Sequence, residues 1–571
     1  MLILHYLGHS NLYNHARTRH EEQVRAKLAE YQAGPTRGPM GNWLTVTRVV
    51  STEAKNIFAW MEWVVMADLP LTVVDNELFR KRSNLLPTSY KTLSKTMGLL
   101  ASLCRANIKR SLPTTFGIIF DGWSCDGEHY IGIFATWVRD KDDTVVRRLI
   151  ACGVQELPDN PESAANFGFT AEDIGDYFFD VLALYDRDYA CIEFVTGDNA
   201  YVNSAFCTKL EAWILRETGI RRCVPLVGCA SHKLNLAVQL LCSDPDWSEA
   251  IDTVHTLMCS LRSLKNRVKL AVVTKAAPEV RNDTRWRSVY LMLKKYLKLV
   301  EETDNFRLCA FDRVTRGLIP DNLESHEDDE HQTVFSTVKL IVKTLKKFDE
   351  VCLWLQKDDP SEVKMSRVRF FFDRLISEYP VLRQHLGKDS SLVHCPDFDN
   401  AIVKIQLACD QGKHTVQLST SERSAVAIFA LNLGDSANDR HSDIREEDES
   451  FIEAGKLEYD GKRAKKQPAF KSSLHVAPTS NVVERLFSRC GIIMRPHRRL
   501  MDPSTLETLI MLRFNRDLWD EKDVDTVMSR DAATDLDRML PQTPVSGSTS
   551  SGRTTLSSSS SSASSSSAFS Y

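Results

Sequence analysis

Apolar positions along the chain fall into two regimes. Between residues 114 and 227 they come as short runs rich in β-branched and aromatic residues: 115–120 (TFGIIF), 130–138 (YIGIFATWV), 144–152, 189–196 (YACIEFVT) and 223–227 (CVPLV). Runs of that length bounded by turn residues read as buried strands. Two helical patterns separate the later ones: 171–185, apolar at Ile174, Phe178, Val181, Leu182 and Leu184, and 199–216. The order βββ-α-β-α-β predicts an α/β mixed sheet covered by helices. Elsewhere the spacing is helical. It predicts a buried helix over 42–67 (Phe58, Trp60, Met61, Trp63, Val64) and further helices over 257–273, 286–302, 334–355 and beyond Met365.

Punctuation and composition then divide the chain. Residues 1–22 are polar and rich in His and Arg. Residues 23–112 are helical, with turns at Gly34-Pro35, Gly38-Pro39, Leu69-Pro70 and Leu86-Pro87. Strands occupy 113–240, a large helical stretch 241–434, a charged linker 435–476 and an ordered segment 477–520. The tail, 521–571, dissolves into Ser, Thr and Gly after about 540 and cannot bury enough surface to fold. No fixed-period repeat is present, which argues against a solenoid.

Composition narrows the class. The 571 residues are 43% apolar and 26% charged, the balance of a globular protein. Lys and Arg number 72 against 76 acids, a net charge of −4, so any contact with DNA must come from local patches. No apolar run approaches the ~20 residues a membrane helix needs, so no membrane partner is expected. The opening MLIL is too short for a secretory core, which points the 14 cysteines to a reducing compartment. They include no CxxC pair and begin only at Cys104, so neither a disulfide framework nor a cysteine-rich zinc module is expected.

Two carboxylates share a context. Asp121 follows one apolar run and heads DGWS; Asp198 follows another and lies in TGDNAYVN. At the carboxyl ends of neighbouring strands they would face each other across a crevice. Such a pair repels itself unless a divalent cation intervenes, and oxygen ligands suit Mg²⁺ or Mn²⁺. Two such ions can activate an attacking oxygen and stabilise the leaving oxygen of a phosphodiester. Asp beside Gly is also ordinary turn chemistry, and that reading stays open.

TFGIIFDGWS, VTGDNAYVN and CASHKLNL (229–236), together with SNVVERLFSRCGIIMRPHRRLMDPSTLETLIMLRFN (480–515), resemble in order and content the hAT superfamily of cut-and-paste DNA transposases. DLPLTVVDNELFRK (68–81) resembles the family's segment just upstream of its catalytic domain. The resemblance implies an RNase H-like sheet interrupted by a large all-α insertion, with a helical N-terminal domain. It places an acidic metal-binding triad at Asp121, Asp198 and Glu484, and His232 beside the scissile phosphate. Arg285-Trp286 matches a pair whose aromatic ring stacks on an unpaired base, worth ~1–3 kcal/mol. The last segment resembles the dimerisation region, carried here by Leu486, Phe487, Leu506, Leu509, Ile510 and Phe514.

Each feature has an alternative. Glu484 stands three residues after Asn481, the spacing of a helix capping box. His232 and Trp286 would be ordinary core residues in isolation, and Cys229 with His232 supplies two ligands, short of a zinc site. Arg485, Arg489, Arg495, Arg498 and Arg499 form a patch suited to phosphates, or one that pairs with nearby acids. Asp502-Pro503 reads as a helix start. Residues 8–22 resemble the second half of a BED-type zinc finger, with His15 and His20 as its ligand pair. Without cysteines before Cys104, zinc binding is not expected.

The resemblance thus implies a metal-dependent transposase that acts on transposon ends and target DNA as a homodimer or larger homo-oligomer in the nucleus. Lys462, Arg463, Lys465 and Lys466 offer an import signal. The alternatives are a catalytically inactive, domesticated DNA-binding and dimerising derivative, and an RNase H-like nuclease acting on RNA or hybrids.

Overall fold

Where β-branched and aromatic residues are densest, a computed structural model of the chain forms one five-stranded sheet, in the order β3-β2-β1-β4-β5. Its strands are β1 Phe116–Cys125, β2 Glu128–Val138, β3 Val145–Val154, β4 Ile192–Gly197 and β5 Leu226–Gly228. The β1–β2 and β2–β3 pairs are antiparallel; β1–β4 and β4–β5 are parallel. The structure describes residues 50–139, 141–154, 170–282, 285–304, 327–413, 416–430, 470–495 and 501–529. His15, His20, Arg498, Arg499, the import-signal lysines and the Ser-rich tail lie outside the described residues. Apart from the sheet the chain is mostly helical, and no described helix is long and apolar enough to cross a membrane.

The first strand corrects the expectation of a turn at Asp121. β1 runs on through Asp121-Gly122-Trp123-Ser124-Cys125, with Asp121 opposite Gly132 of β2. The hairpin closes at Asp126-Gly127, both at positive φ (52° and 91°), the left-handed pair that a two-residue turn requires. Trp123 keeps the extension packed, stacking on Phe487 at 5.6 Å.

Four groups of helices accompany the sheet along the chain. In the first, α1 (Thr52–Met66), α2 (Glu77–Arg82) and α3 (Tyr90–Ser111) precede β1. The next, α4 (Ala171–Leu184) and α5 (Tyr201–Thr218), flank β4 and seat Phe178 and Phe206 against Phe120 of β1. After β5 come α6 (Ala230–Cys242), α7 (Pro245–Arg262), α8 (Leu264–Val273), α9 (Trp286–Asp304), α10 (Glu327–Leu355), α11 (Met365–Glu378), α12 (Arg383–Leu386), α13 (Pro396–Asp410) and α14 (Thr420–Ala425). The helix expected over 257–273 is broken at Ser263, whose extended ψ of 143° separates α7 from α8. The chain ends its described course with α15 (Asn481–Ile493), α16 (Pro503–Phe514) and α17 (Glu521–Met528). Asp502 caps α16 through Thr505 N–H at 3.3 Å with Pro503 in the first turn, as the dipeptide predicts.

Packing groups these helices differently from their order in sequence. Residues 53–112 do not stand apart. Arg513 of α16 donates to the Val65 carbonyl at 2.6 Å and pairs with Asp68, Arg105 of α3 pairs with Glu507, and Phe58 meets Trp519 edge-on. Helices α6, α7, α9, α10 and α11 share one core around Leu234, Met258, Leu293, Leu345 and Phe372. Helix α13 lies within the expected insertion 241–434, yet its Phe398, Ile402 and Ile405 pack with Phe194 of β4 and Val227 of β5. The end of the expected linker is buried as well: Ser473, His475 and Val476 sit under the sheet. There His475 Nε2 meets Glu193 of β4 at 2.7 Å, and Thr196 donates to the Ala477 carbonyl at 2.9 Å.

Candidate active site

The site begins with two parallel neighbours. Asp121 lies partway along β1, and Asp198 follows immediately on β4. Asp198 is held by its own turn: its Oδ1 accepts from the Ala200 N–H at 3.0 Å and from Asn203 Nδ2 at 2.5 Å. Asp121 Oδ1 accepts from the Gly122 N–H at 2.9 Å. Loss of water and the nearby Asp198 carboxylate, with Glu484 adding to them, push the Asp121 carboxyl up to about 7; His232 pulls against them. The four side chains therefore act on one another in a single crevice.

Glu484 reaches that crevice because α15 presses closely on the sheet. A Cβ on Gly132, the residue facing Asp121, would lie 2.9 Å from Val483 Cγ1 and 3.2 Å from Phe487 Cζ. Only a glycine lets the helix seat there. The capping-box alternative for Glu484 is not realised. The N-cap of α15 is Ser480, with no side-chain cap, and Asn481 instead donates from Nδ2 to the Leu355 carbonyl at 2.9 Å. The Ser480 N–H points to Cys229 Sγ at 3.4 Å. The Glu484 carboxylate is left facing the crevice, with Arg285 at 3.6 Å.

Cys229 and His232 complete the cluster. Cys229 is fastened to the end of β4 by its N–H, which donates to the Gly197 carbonyl at 2.8 Å. The adjacent Ala230 N–H donates to the Pro478 carbonyl just ahead of α15. Burial alone would lower His232, but its hydrogen bond to Cys229 and the charges of Cys229, Asp121 and Glu484 hold it up to about 10. Burial raises the Cys229 thiol, but its hydrogen bond to His232 and the charge on that ring pull it below its ordinary value. One ligating atom from each of Cys229, His232 and Glu484 lies within 4.8 Å of the others, the one such group among the described residues. Glu484 thus supplies a third donor atom close to the Cys-x-x-His pair. Asp121 and Asp198 share the crevice electrostatically but are not within that mutual distance.

Other expected site residues are placed differently. Trp286 is 4% exposed and belongs to the helical core beside Tyr290, so in this conformation it offers no face to a base. Arg285 is exposed and bridges to Glu484. Arg485 pairs with Asp358 and donates to the Gln356 carbonyl, Arg489 reaches Asp68 at 3.5 Å, and Arg495 is exposed. Leu486, Phe487, Leu506, Leu509 and Ile510 are buried by the chain itself, and Phe514 packs edge-on against Phe134 at 5.8 Å. Replacing Trp286 by Ala is therefore expected to cost about 3–5 kcal/mol of stability. Arg285→Ala is expected to stay within about 0.5 kcal/mol of wild type. Urea unfolding of both variants checks the contrast.

No protein-family model matches the chain, and no curated protein matches it.

Proposed function

We propose that the chain is a hAT-type, transposase-like protein on an RNase H-like sheet that cuts DNA at transposon ends and transfers the freed strand. On this reading it works in the nucleus on transposon-end and target DNA, as a homodimer or larger homo-oligomer, with Mg²⁺ or Mn²⁺. The observation that carries the reading is the convergence of Asp121 from β1, Asp198 from the end of β4 and Glu484 from α15 on one crevice beside His232.

The donor chemistry fits a divalent cation. Two carboxylates repel each other there, and His232 Nδ1 and both amide atoms of Asn199 are buried without a partner. Asp121, Asp198 and Glu484 are the carboxylates that would hold the ion, an oxygen set suited to Mg²⁺ or Mn²⁺. Such an ion supplies charge neutralisation at the phosphodiester oxygens when bound. The protein's own groups do the rest. Asn203 fixes the Asp198 carboxylate, Gly132 sets the depth of Glu484, and the His232 imidazolium offers a charged donor to a phosphate oxygen.

The test is cleavage of a pre-nicked or hairpin-forming DNA end by the purified chain in Mn²⁺. Asp198→Asn is expected to abolish cleavage while leaving DNA binding unchanged. Identical cleavage traces from wild type and variant would overturn the enzymatic reading. A second reading, a non-catalytic DNA-binding derivative, is favoured by one observation: Glu484 is engaged by the Arg285 guanidinium. It predicts DNA bound but uncut by wild type in either metal.

A further inference from the structure

Beyond the end of β5, a cavity of about 60 Å³ opens between α6, α11, α12 and α13. One water needs about 10–15 Å³ measured this way, so the space suits a single small polyatomic ion. Its walls are largely apolar, among them Val368, Phe372 and Leu386, but four charged side chains also line it: Lys233, Arg369, Lys388 and Asp399.

Two of these present buried polar atoms without a hydrogen-bond partner, and a third is a buried ammonium. Lys233 is 7% exposed, with the Asp399 carboxylate the first charge drawing on its ammonium. Gly228 makes room for it, since a Cβ there would lie 3.0 Å from Lys233 Cε. Across the cavity, Asp399 Oδ1 is buried without a hydrogen-bond partner, and so is Arg369 Nε. Arg369 is otherwise fixed: its two terminal nitrogens donate to the Leu386 carbonyl and to Asp373, each at 2.7 Å. No ion pair closes between Lys233 and Asp399 among the described residues. Buried groups left in this state cost about 1–3 kcal/mol each, more when charged, unless something occupies the space.

The occupant must accept hydrogen bonds from Lys233 and Arg369 and donate one to Asp399. Burial raises the Asp399 carboxyl to about 6 against the pull of Lys233 and Arg369, and its unpartnered Oδ1 calls for a donor whenever it is ionised. Sulfate carries no proton at pH 7. A nucleic-acid phosphodiester has none to give either, which separates this site from the DNA-processing crevice. A protonated phosphate satisfies all three groups. We propose that this cavity is a binding site for protonated phosphate, free or as a terminal phosphomonoester, held between Lys233, Arg369 and Asp399.

The test is isothermal titration of the full chain at pH 7 with inorganic phosphate, sulfate and adenosine 5′-monophosphate. Phosphate is expected to bind at least ~10-fold tighter than sulfate, the difference one charge-assisted hydrogen bond makes. Asp399→Asn, whose amide can donate to either anion, is expected to erase that difference. Lys233→Met is expected to weaken both anions roughly tenfold or more. Adenosine monophosphate binding as tightly as phosphate identifies a phosphomonoester as the source; weaker binding identifies the free ion. The wild-type comparison needs no variant to fold. Equal affinity for phosphate and sulfate, or no heat from phosphate at roughly 10 mM, would overturn the proposal.

Discussion

Asp121→Asn is expected to give a folded protein that melts higher than wild type at pH 8 without metal and no longer responds to Mn²⁺. The reason is the carboxylate's own environment. Burial and the neighbouring Asp198 raise Asp121 from its ordinary value of 3.8 to about 7, with the His232 attraction already inside that balance. A raised acid contributes stability that is complete below about pH 4 and lost as pH rises through about 7. At pH 8 the ionised group therefore opposes folding, by up to about 4 kcal/mol at 1.36 kcal/mol per pH unit. Asparagine removes the charge and keeps the shape. The gain should be large at pH 8, smaller at pH 6 and gone near pH 4. Mn²⁺ should raise the wild-type melting temperature at pH 8 by neutralising the same repulsion, and leave the variant unmoved. Thermal melts across that pH range, in EDTA and in Mn²⁺, decide it. Equal melting temperatures at pH 8, or equal Mn²⁺ stabilisation of both proteins, would remove the electrostatic basis of the site.

The second large effect is steric. Gly132→Val puts a branched side chain where even one Cβ would be 2.9 Å from Val483 and 3.2 Å from Phe487. Overpacking of this kind costs about 1–3 kcal/mol, and more where a rigid helix must move. Here the helix that yields is α15, so Glu484 should be carried away from Cys229 and His232, and the cleavage proposed above should fall along with stability. Val483→Ala in the same chain removes the atom in the way. It should restore part of both losses, a coupling of about 1 kcal/mol or more between positions in direct contact. If Gly132→Val melts like wild type, or the double variant shows only the sum of two independent losses, the close seating of α15 does not set the site.

Much of the sheet could be read from the chain because its strands are short, apolar and separated by strong turn residues. All five expected runs overlap a strand. The errors have identifiable causes. DGWS looked like a turn because Asp and Gly sit together, but the turn belongs to Asp126-Gly127, a pair that marks a hairpin in its own right. The run over 189–196 begins with a single 3₁₀ turn capped by Asp188, and the strand starts only at Ile192. Helix α13 is amphipathic whichever core it faces, so its spacing could not say that Phe398 belongs with Phe194 rather than with the helical body. Nothing local marks Ser263 as a break.

The site was legible in part. Asp121 and Asp198 stood out because each ends an apolar run. Glu484 was named only through family resemblance, its local sequence arguing for a cap that Asn481 does not make. Cys229 and His232 looked like an incomplete pair because their third partner lies far along the chain. Asn203 lies in the same short motif as Asp198, and that closeness in sequence is the one signal for its role. Lys233 and Asp399 carry no local signature at all, since their importance comes from the space between α6 and α13.

The packing of residues 473–484 against the sheet has a temporal consequence. β1 and β4 emerge from the ribosome early, whereas Ser473, His475, Ala477 and Pro478, which fasten α15 to β4 and α6, are translated long after them. A nascent polypeptide therefore carries Asp121 and Asp198 without Glu484 or its anchor. Premature termination before α15 therefore leaves the crevice without its third carboxylate and without the segment that fastens it.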